Sequence, residues 1–239
     1  MNIKDLIRST LNKLHLDLTK NLEYDRLTQK VMKRHLTQDS NCIDVGCHKG
    51  EILDLIIKIS PKGKHFAFEP IPHLFSFISK KYGSRAEIFP YALSNHEGNT
   101  TFNYVKNAPA YSGLKKRKYE VKNPDIEEID VELRTLDSII PENVKIDLIK
   151  IDVEGAELGV LQGGINTIRK NKTLVIFEFG LGASDFYGST PKDIYQLLVE
   201  NAGLKIYTLS DWLKNKIALD ISKFSDHFNN KTEYYFIAV

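Results

Sequence analysis

Apolar positions along the chain follow two different periods. At the start, Ile3, Leu6, Ile7, Leu11, Leu14 and Leu18 recur at the spacing of one helix face, with Lys4, Arg8, Lys13 and Lys20 mostly off it. That stripe predicts an amphipathic helix. It needs a cover, and three are open: the chain's own domain, a second copy in a homodimer, or a membrane surface. Further on, short apolar runs alternate with helical stretches. Strands are predicted at 42–45, 65–68, 88–92, 146–151, 173–179, 205–208 and 233–239, and helices at 51–59, 74–81 and 191–201. This β-α-β alternation predicts a doubly wound α/β fold whose mostly parallel sheet is covered on both faces. Between residues 100 and 134 the alternation lapses. There TTFNYV and IDVELR flank the polar stretch AYSGLKKRKYEVKNPD, which predicts an inserted β-hairpin. No repeat of 20 to 50 residues and no Pro- or Ser-rich linker interrupts the pattern. An N-terminal helical segment, 1–38, is therefore expected ahead of one domain, 39–239.

Composition narrows the function classes. The 239 residues are 42% hydrophobic and 27% charged, with a formal net charge of +2, which is ordinary for a globular chain. Without a domain-wide basic excess, no nucleic-acid partner is expected. No apolar run reaches the length of a membrane span, and MNIKDLIRST lacks the apolar core of a secretory signal, so no transmembrane segment and a cytoplasmic location are expected. The two cysteines, Cys42 and Cys47, exclude a disulfide scaffold and suit a reducing compartment. Next to His48 they suggest a metal, but Cys-x4-Cys with one adjacent His lacks the paired ligand spacing of a structural zinc site, so none is expected.

Three segments carry chemistry. In IDVGCHKGEILDL an apolar strand ends around Asp44, turns through Gly46 and Gly50, and starts a helix. Such a turn lies at the carboxyl edge of the sheet, where ligands of open α/β sheets bind. Gly46 is expected to let the backbone approach a ligand, since a Cβ there would intrude. The spacing is G-x-x-x-G, not the G-x-G-x-x-G of a pyrophosphate cradle. In HFAFEPIPHLF, Glu69 follows an apolar strand and precedes Pro70 and Pro72. A carboxylate there can accept hydrogen bonds from two ribose hydroxyls, and Pro70 withholds an N–H and so ends the strand. Because a strand-end acid adds little to a core, replacing Glu69 is expected to leave the fold intact. In IDLIKIDVEGAELGVLQGG a buried strand leads into Asp152, Glu154 and Glu157. Acids near a helix start also act as caps, and Glu157 reads equally as a cap or a site residue. Alternation along the exiting strand turns Asp152 and Glu154 to the same side, where two carboxylates can face a cation and a hydroxyl.

The ordered set IDVGCHKG, AFEP, PYALSNHEG and LIKIDVEGAELGVLQGG resembles the FkbM family of S-adenosylmethionine (SAM)-dependent methyltransferases, from about the first strand to the fifth. Family members generally read D-V-G-A-N-x-G at the first turn, where this chain has Cys47 and His48 for the Ala and Asn. The resemblance implies a class I methyltransferase, Rossmann-like fold, SAM as cofactor, and O-methylation, often of a sugar or polyketide-like hydroxyl. SAM carries no phosphate, and Asp44 can help offset its sulfonium. By resemblance, Asp44 and Gly46 lie at the methionine end, Glu69 at the ribose, Ala92 and Leu93 near the adenine, and Asp152 near the reacting centre. His48, Gly50 and Pro70 complete the expected cofactor set.

Methyl transfer is an in-line displacement that rests on alignment, and a weak hydroxyl nucleophile gains from a general base. Asp152 and Glu154 are the candidates, with His48 third. The expected acceptor is a small-molecule or glycan hydroxyl, and Lys150, Ser112 and Tyr187 are expected to contact it. Lys150 could equally form a structural ion pair. Ser112 lies in the Tyr111-Ser112-Gly113 loop of the insertion, and Tyr187 in the GLGASDFYGS loop that follows Glu178; loops at this edge carry specificity. The basic run 115–118 reads as a solvated face in preference to a site for an anionic acceptor. Two other readings share parts of this pattern: an NAD-type oxidoreductase, which lacks its diphosphate turn here, and an inactive SAM- or nucleotide-binding module.

Overall fold

The computed structural model describes residues 19–119 and 121–239. The predicted stripe from Ile3 to Leu18 lies outside the described residues. Helix α1 (Lys20–His35) opens where the Thr19 side chain accepts the Leu22 N–H. A seven-stranded sheet follows, built from β1 (Cys42–Val45), β2 (His65–Phe68), β3 (Glu87–Phe89), β7 (Leu148–Ile151), β8 (Leu174–Glu178), β9 (Ile206–Thr208) and β10 (Tyr235–Ala238) in the order β3-β2-β1-β7-β8-β10-β9. All neighbours pair in parallel except β10, which runs antiparallel to both β8 and β9. The chain lays strands outward on one side of β1 and then returns to lay β7 on the other. Strand order therefore reverses between β1 and β7, and a crevice opens at their carboxyl ends.

Both faces of the sheet are covered, and strand alternation decides what each face meets. On one face Cys42, Leu148, Leu174, Ile176 and Ile237 pack under Tyr24, Leu27, Val31 and Met32 of α1 and Ile56 of α2 (Glu51–Ile59). On the other, Ile43, Val45, Ile149, Ile151, Val175, Phe177 and Phe236 join Val160, Leu161 and Ile168 from the helices after β7. Residues 20–35 thus share one apolar cluster with the sheet that follows them. No helix among the described residues is long and apolar enough to cross a membrane.

Two predicted elements divide. The strand expected at 88–92 breaks at Pro90, which cannot donate to a ladder. Glu87–Phe89 stays in the main sheet, while β4 (Tyr91–Leu93) pairs in parallel with β6 (Ile126–Arg134). The inserted hairpin is β6 with β5 (Gly98–Val105), antiparallel from Gly98↔Leu133 to Val105↔Ile126, so β4-β6-β5 forms a second, three-stranded sheet. The helix expected at 191–201 is α-helical only over Pro191–Tyr195 and continues as a wider π turn over Gln196–Asn201. In the stretch between the last two predicted strands, short helices occupy Leu209–Leu213 and Ile221–Asn230.

Candidate functional site

The site lies at the carboxyl ends of β1, β2 and β7. After β1 the backbone turns left-handed three times, at Gly46 (φ 80°), His48 (φ 49°) and Gly50 (φ 80°). The Gly46 and Cys47 amides both donate to the Phe68 carbonyl, fixing this turn to the end of β2. A Cβ on Gly46 would stand 1.9 Å from the Asp152 carbonyl oxygen. Close approach of the chain leaving β7, not of a ligand, is therefore what requires glycine there. A Cβ on Gly50 would meet the Tyr82 hydroxyl at 2.1 Å, and that hydroxyl donates to the Gly50 carbonyl at 2.6 Å. Gly50 belongs to the packing of a helix start and is not on the cleft wall.

Glu69 ties two turns together. Its Oε2 accepts the His48 N–H at 2.8 Å and its Oε1 the Ile71 N–H at 2.9 Å. The side chain is buried, so it is not the detachable strand-end acid that the sequence suggests. Burial pushes its carboxyl up to about 7, against the two backbone donors. Beside it runs a slot of about 570 Å³, its solvent-open mouth included. Gly46, His48, Glu69 and Pro70 form one wall; Ala92 and Leu93 of β4 lie further along; Ser112 and Leu114 come from the insertion, and Asp152 and Glu154 close the end nearest β7.

Asp44 is set back from that wall. It pairs in register with Lys150 across the β1–β7 ladder and accepts the Cys47 thiol. Its Oδ2 is buried without a partner, and burial raises its carboxyl to about 6, with Lys150 opposing. The Nε2 of His48 is likewise buried and unpartnered, and burial holds that imidazole below the usual histidine range, in its neutral form. Both cysteines are free, buried thiols. Among the described residues no three His, Cys, Asp or Glu side chains converge as a metal-binding group.

Beyond β7 the chain does not continue as a strand. The Asp152 amide still donates to the Val45 carbonyl at 3.0 Å, but Glu154 (φ 58°) and Gly155 (φ 110°) then turn left-handed. The alternation expected to align Asp152 with Glu154 is thus broken, and it is this turn that brings both to the slot. Asp152 Oδ2 accepts from Lys150 Nζ at 3.1 Å and also from the Tyr235 hydroxyl. Burial works against its charge, yet the Lys150 ammonium and the donors on it hold Asp152 below the usual carboxylate range. Glu178 behaves oppositely: burial and the charge of Asp152 keep it protonated well above that range. Glu154 pairs with Arg117, and burial with the nearby Asp152 charge still raises it to about 8. Glu157 accepts the Val153 and Gly155 amides at 3.2 and 3.1 Å, which makes it the acid that caps this turn.

The three residues expected to contact an acceptor fall in different places. Ser112 reaches the slot, but its Oγ already accepts the Val105 N–H at 3.0 Å. Lys150 is buried behind Asp152 on the α1 side of the sheet. Tyr187 is off the wall, its ring packed near Gly155 and its hydroxyl accepting the Lys115 N–H at 2.9 Å. Nor is the basic run uniformly solvated. Arg117 turns inward with only 9% of its side chain exposed, toward Glu154 and the Gly182 carbonyl and against the Tyr111 ring, while Lys116 stays outside with Glu128. Arg117 and Tyr235 were invisible in the sequence, one inside a charge run and the other inside the apolar run YYFIAV.

A mostly parallel sheet with a slot at the reversal point, an acid after β2 and acids after β7, defines a class I methyltransferase, Rossmann-like fold. A methyltransferase from Methylobacillus flagellatus of the FkbM type shares it, with a TM-score of 0.53 at 14% identity over 85% of this chain and 44% of that one. More particularly, the model of the methyltransferase FkbM domain matches residues 44–206, and the chain belongs to that family. Among curated relatives, the 2-O-methyltransferase NoeI of Sinorhizobium fredii is 28% identical over 148 residues, covering 56% of this chain and 61% of NoeI. The methyltransferase sdnD of Sordaria araneosa is 30% identical over 152 residues, covering 51% and 59%. The chain thus matches about three-fifths of the length of each of these two relatives.

Proposed function

We propose that this chain is a SAM-dependent O-methyltransferase acting on a hydroxyl of a sugar or another small polyhydroxylated compound. The observation that carries the reading is the meeting of Glu69 with Asp152 and Glu154, which lie far from it in sequence, on one slot at the strand reversal. Two of the buried groups beside it, Asp44 Oδ2 and His48 Nε2, have unused hydrogen-bonding capacity, which suits a zwitterionic cofactor. Glu69 would hold the ribose hydroxyls with the lone pairs its two amides leave free, His48 and the Gly46 turn the methionine end, and Ala92 and Leu93 the adenine. When bound, SAM supplies an electrophilic methyl carbon on a sulfonium. Asp152, kept ionised by Lys150 and Tyr235, accepts the proton that the acceptor oxygen sheds as its bond to carbon forms. The 2-O-methyltransferase named among the relatives supports oxygen as the acceptor atom.

Calorimetry with SAM and with NAD(H), followed by transfer of labelled methyl to a panel of glycosides and phenols, tests this. SAM binding with label recovered as an ether is the expected result. Binding of NAD(H) without SAM would replace the reading by an oxidoreductase, and SAM binding without transfer to any hydroxyl would reduce it to a binding module.

A further inference from the structure

Tyr235, one of the side chains that hold Asp152, comes from a strand that the resemblance does not reach. The antiparallel run of β10 sets Tyr235 directly opposite Glu178 in the ladder with β8. Its phenol meets Asp152 Oδ2, the oxygen that also accepts from Lys150, and the Lys150 ammonium lies 4.8 Å from the centre of the Tyr235 ring. Two donors on one oxygen fix the rotamer of a side chain that otherwise keeps 32% of its surface exposed toward the slot. Tyr235 is held in its turn. Its ring stacks on Tyr24 of α1 at 4.9 Å with an interplanar angle of 28°, and the Tyr24 hydroxyl donates to Glu233 and accepts the Tyr234 N–H. Chain alternation explains the meeting: Tyr235 and Ile237 share a face of the sheet, and Ile237 belongs to the apolar cluster under α1.

We propose that Tyr235 is a positioning residue for methyl transfer, orienting the Asp152 carboxylate toward the acceptor hydroxyl, and that α1 supports it through Tyr24. The inference rests on the transfer reaction proposed above. A single oxygen of Asp152 carries both Lys150 and Tyr235, so the carboxylate is held from behind. Several other titratable groups act on Asp152: Glu178 on β8, Glu154 in the exit turn, Glu157 at the next helix start, Asp44 on β1 and His48 in the first turn. Of these only Glu178 hydrogen-bonds to it, so removing the phenol leaves one strong cationic donor and one carboxyl donor on the pair.

The test reads Asp152 directly. In protein carrying carboxyl-13C aspartate, the resonance missing from Asp152→Asn assigns this side chain, and its titration is followed in wild type and Tyr235→Phe, which keeps the ring and removes one oxygen. The midpoint is expected to rise by about one unit, the worth of one lost hydrogen bond to a charged group, while SAM affinity by calorimetry stays within about twofold. With an acceptor from the panel, kcat is expected to fall about tenfold at unchanged KM. Tyr24→Leu, which removes the supporting ring, should move the midpoint in the same direction by less, and Tyr24→Phe, which keeps the ring, should leave it in place. An unmoved midpoint in Tyr235→Phe, or a loss of SAM affinity equal to the loss of turnover, overturns the proposal. Absence of SAM binding in wild type would overturn the reaction itself while the titration still decides whether Tyr235 sets Asp152.

Discussion

At the scale of the residue, Glu69 has one observed duty, in the fold, and one proposed, toward the cofactor, and a substitution separates them. Its carboxylate joins the turns after β1 and β2 through the His48 and Ile71 amides, so Glu69→Ala strands two buried donors and lowers stability by roughly 2–4 kcal/mol, at about 1–2 per unsatisfied group. Glu69→Gln keeps one acceptor and is the cleaner probe. It is expected to stay folded, with a melting temperature a few degrees lower, and to bind SAM at least tenfold more weakly in calorimetry, because an amide accepts from one ribose hydroxyl but not from two. Wild-type affinity in folded Glu69→Gln would remove Glu69 from the cofactor site. The acid itself was readable in the sequence: a charge directly after the apolar run HFAF and before a proline has few other uses. Its structural duty was not, because both donors are backbone groups and backbone hydrogen bonds leave no mark on side-chain identity. Tyr235 was hidden for another reason. A tyrosine in YYFIAV looks like core, and only the antiparallel pairing with β8 decides that its hydroxyl emerges beside Asp152.

At the scale of the element, β1 and β2 were legible residue for residue and β7 and β8 to within two residues at each end, since a continuous apolar run bounded by a turn leaves little choice of limits. The divisions came from chemistry that hydrophobic pattern does not weigh. Pro90 splits one expected strand between two sheets, and the helix at Ile221–Asn230 had its signals in the capping Asp220 and in Phe224 and Phe228 one turn apart. The insertion shows the same limit. Its hairpin could be predicted, but not that residues 115–117 fasten it across the sheet edge. Lys115 donates its amide to Tyr187, and Arg117 reaches Glu154 and Gly182. Arg117→Met, which keeps the length of the side chain and removes its charge, is expected to loosen this strap while β5 and β6 stay paired. Amide exchange at Lys115 should accelerate by an order of magnitude or more, consistent with loss of a buried ion pair, while exchange at Phe102 and Val131 in the hairpin stays unchanged. Equal acceleration throughout would show that the strap and the hairpin fold as one unit.

At the scale of the whole molecule, the chain gathers carboxyl groups into a low-dielectric edge against few cations, and this sets its response to pH. Burial raises Glu69 and Glu157 to about 7 and Glu154 to about 8, and keeps Glu178 well above the ordinary carboxylate range. A group whose folded value is raised binds its proton more tightly in the native state. The stability it contributes is complete below its unfolded value and is lost as pH climbs through its folded value. The depressed groups act elsewhere: Asp152 supports the fold above the ordinary carboxylate range and fails it only in strong acid, and His48 and His65, kept neutral by burial, cost stability below about 6.5, the ordinary histidine value. Between about pH 6.5 and 8.5 the raised carboxyls therefore stand nearly alone, and the ligand-free protein is expected to lose roughly 5 °C or more of melting temperature by calorimetry across that window. A cationic sulfonium in the slot would oppose the preference, since it stabilises the ionised carboxylates that burial penalises. With saturating SAM the same window should flatten, and the stabilisation due to the ligand should grow with pH. A ligand-free melting curve that is level from pH 6.5 to 8.5 would mean that these acids are solvated in the native state, and the slot would then lack the charge imbalance that makes it fit a cation.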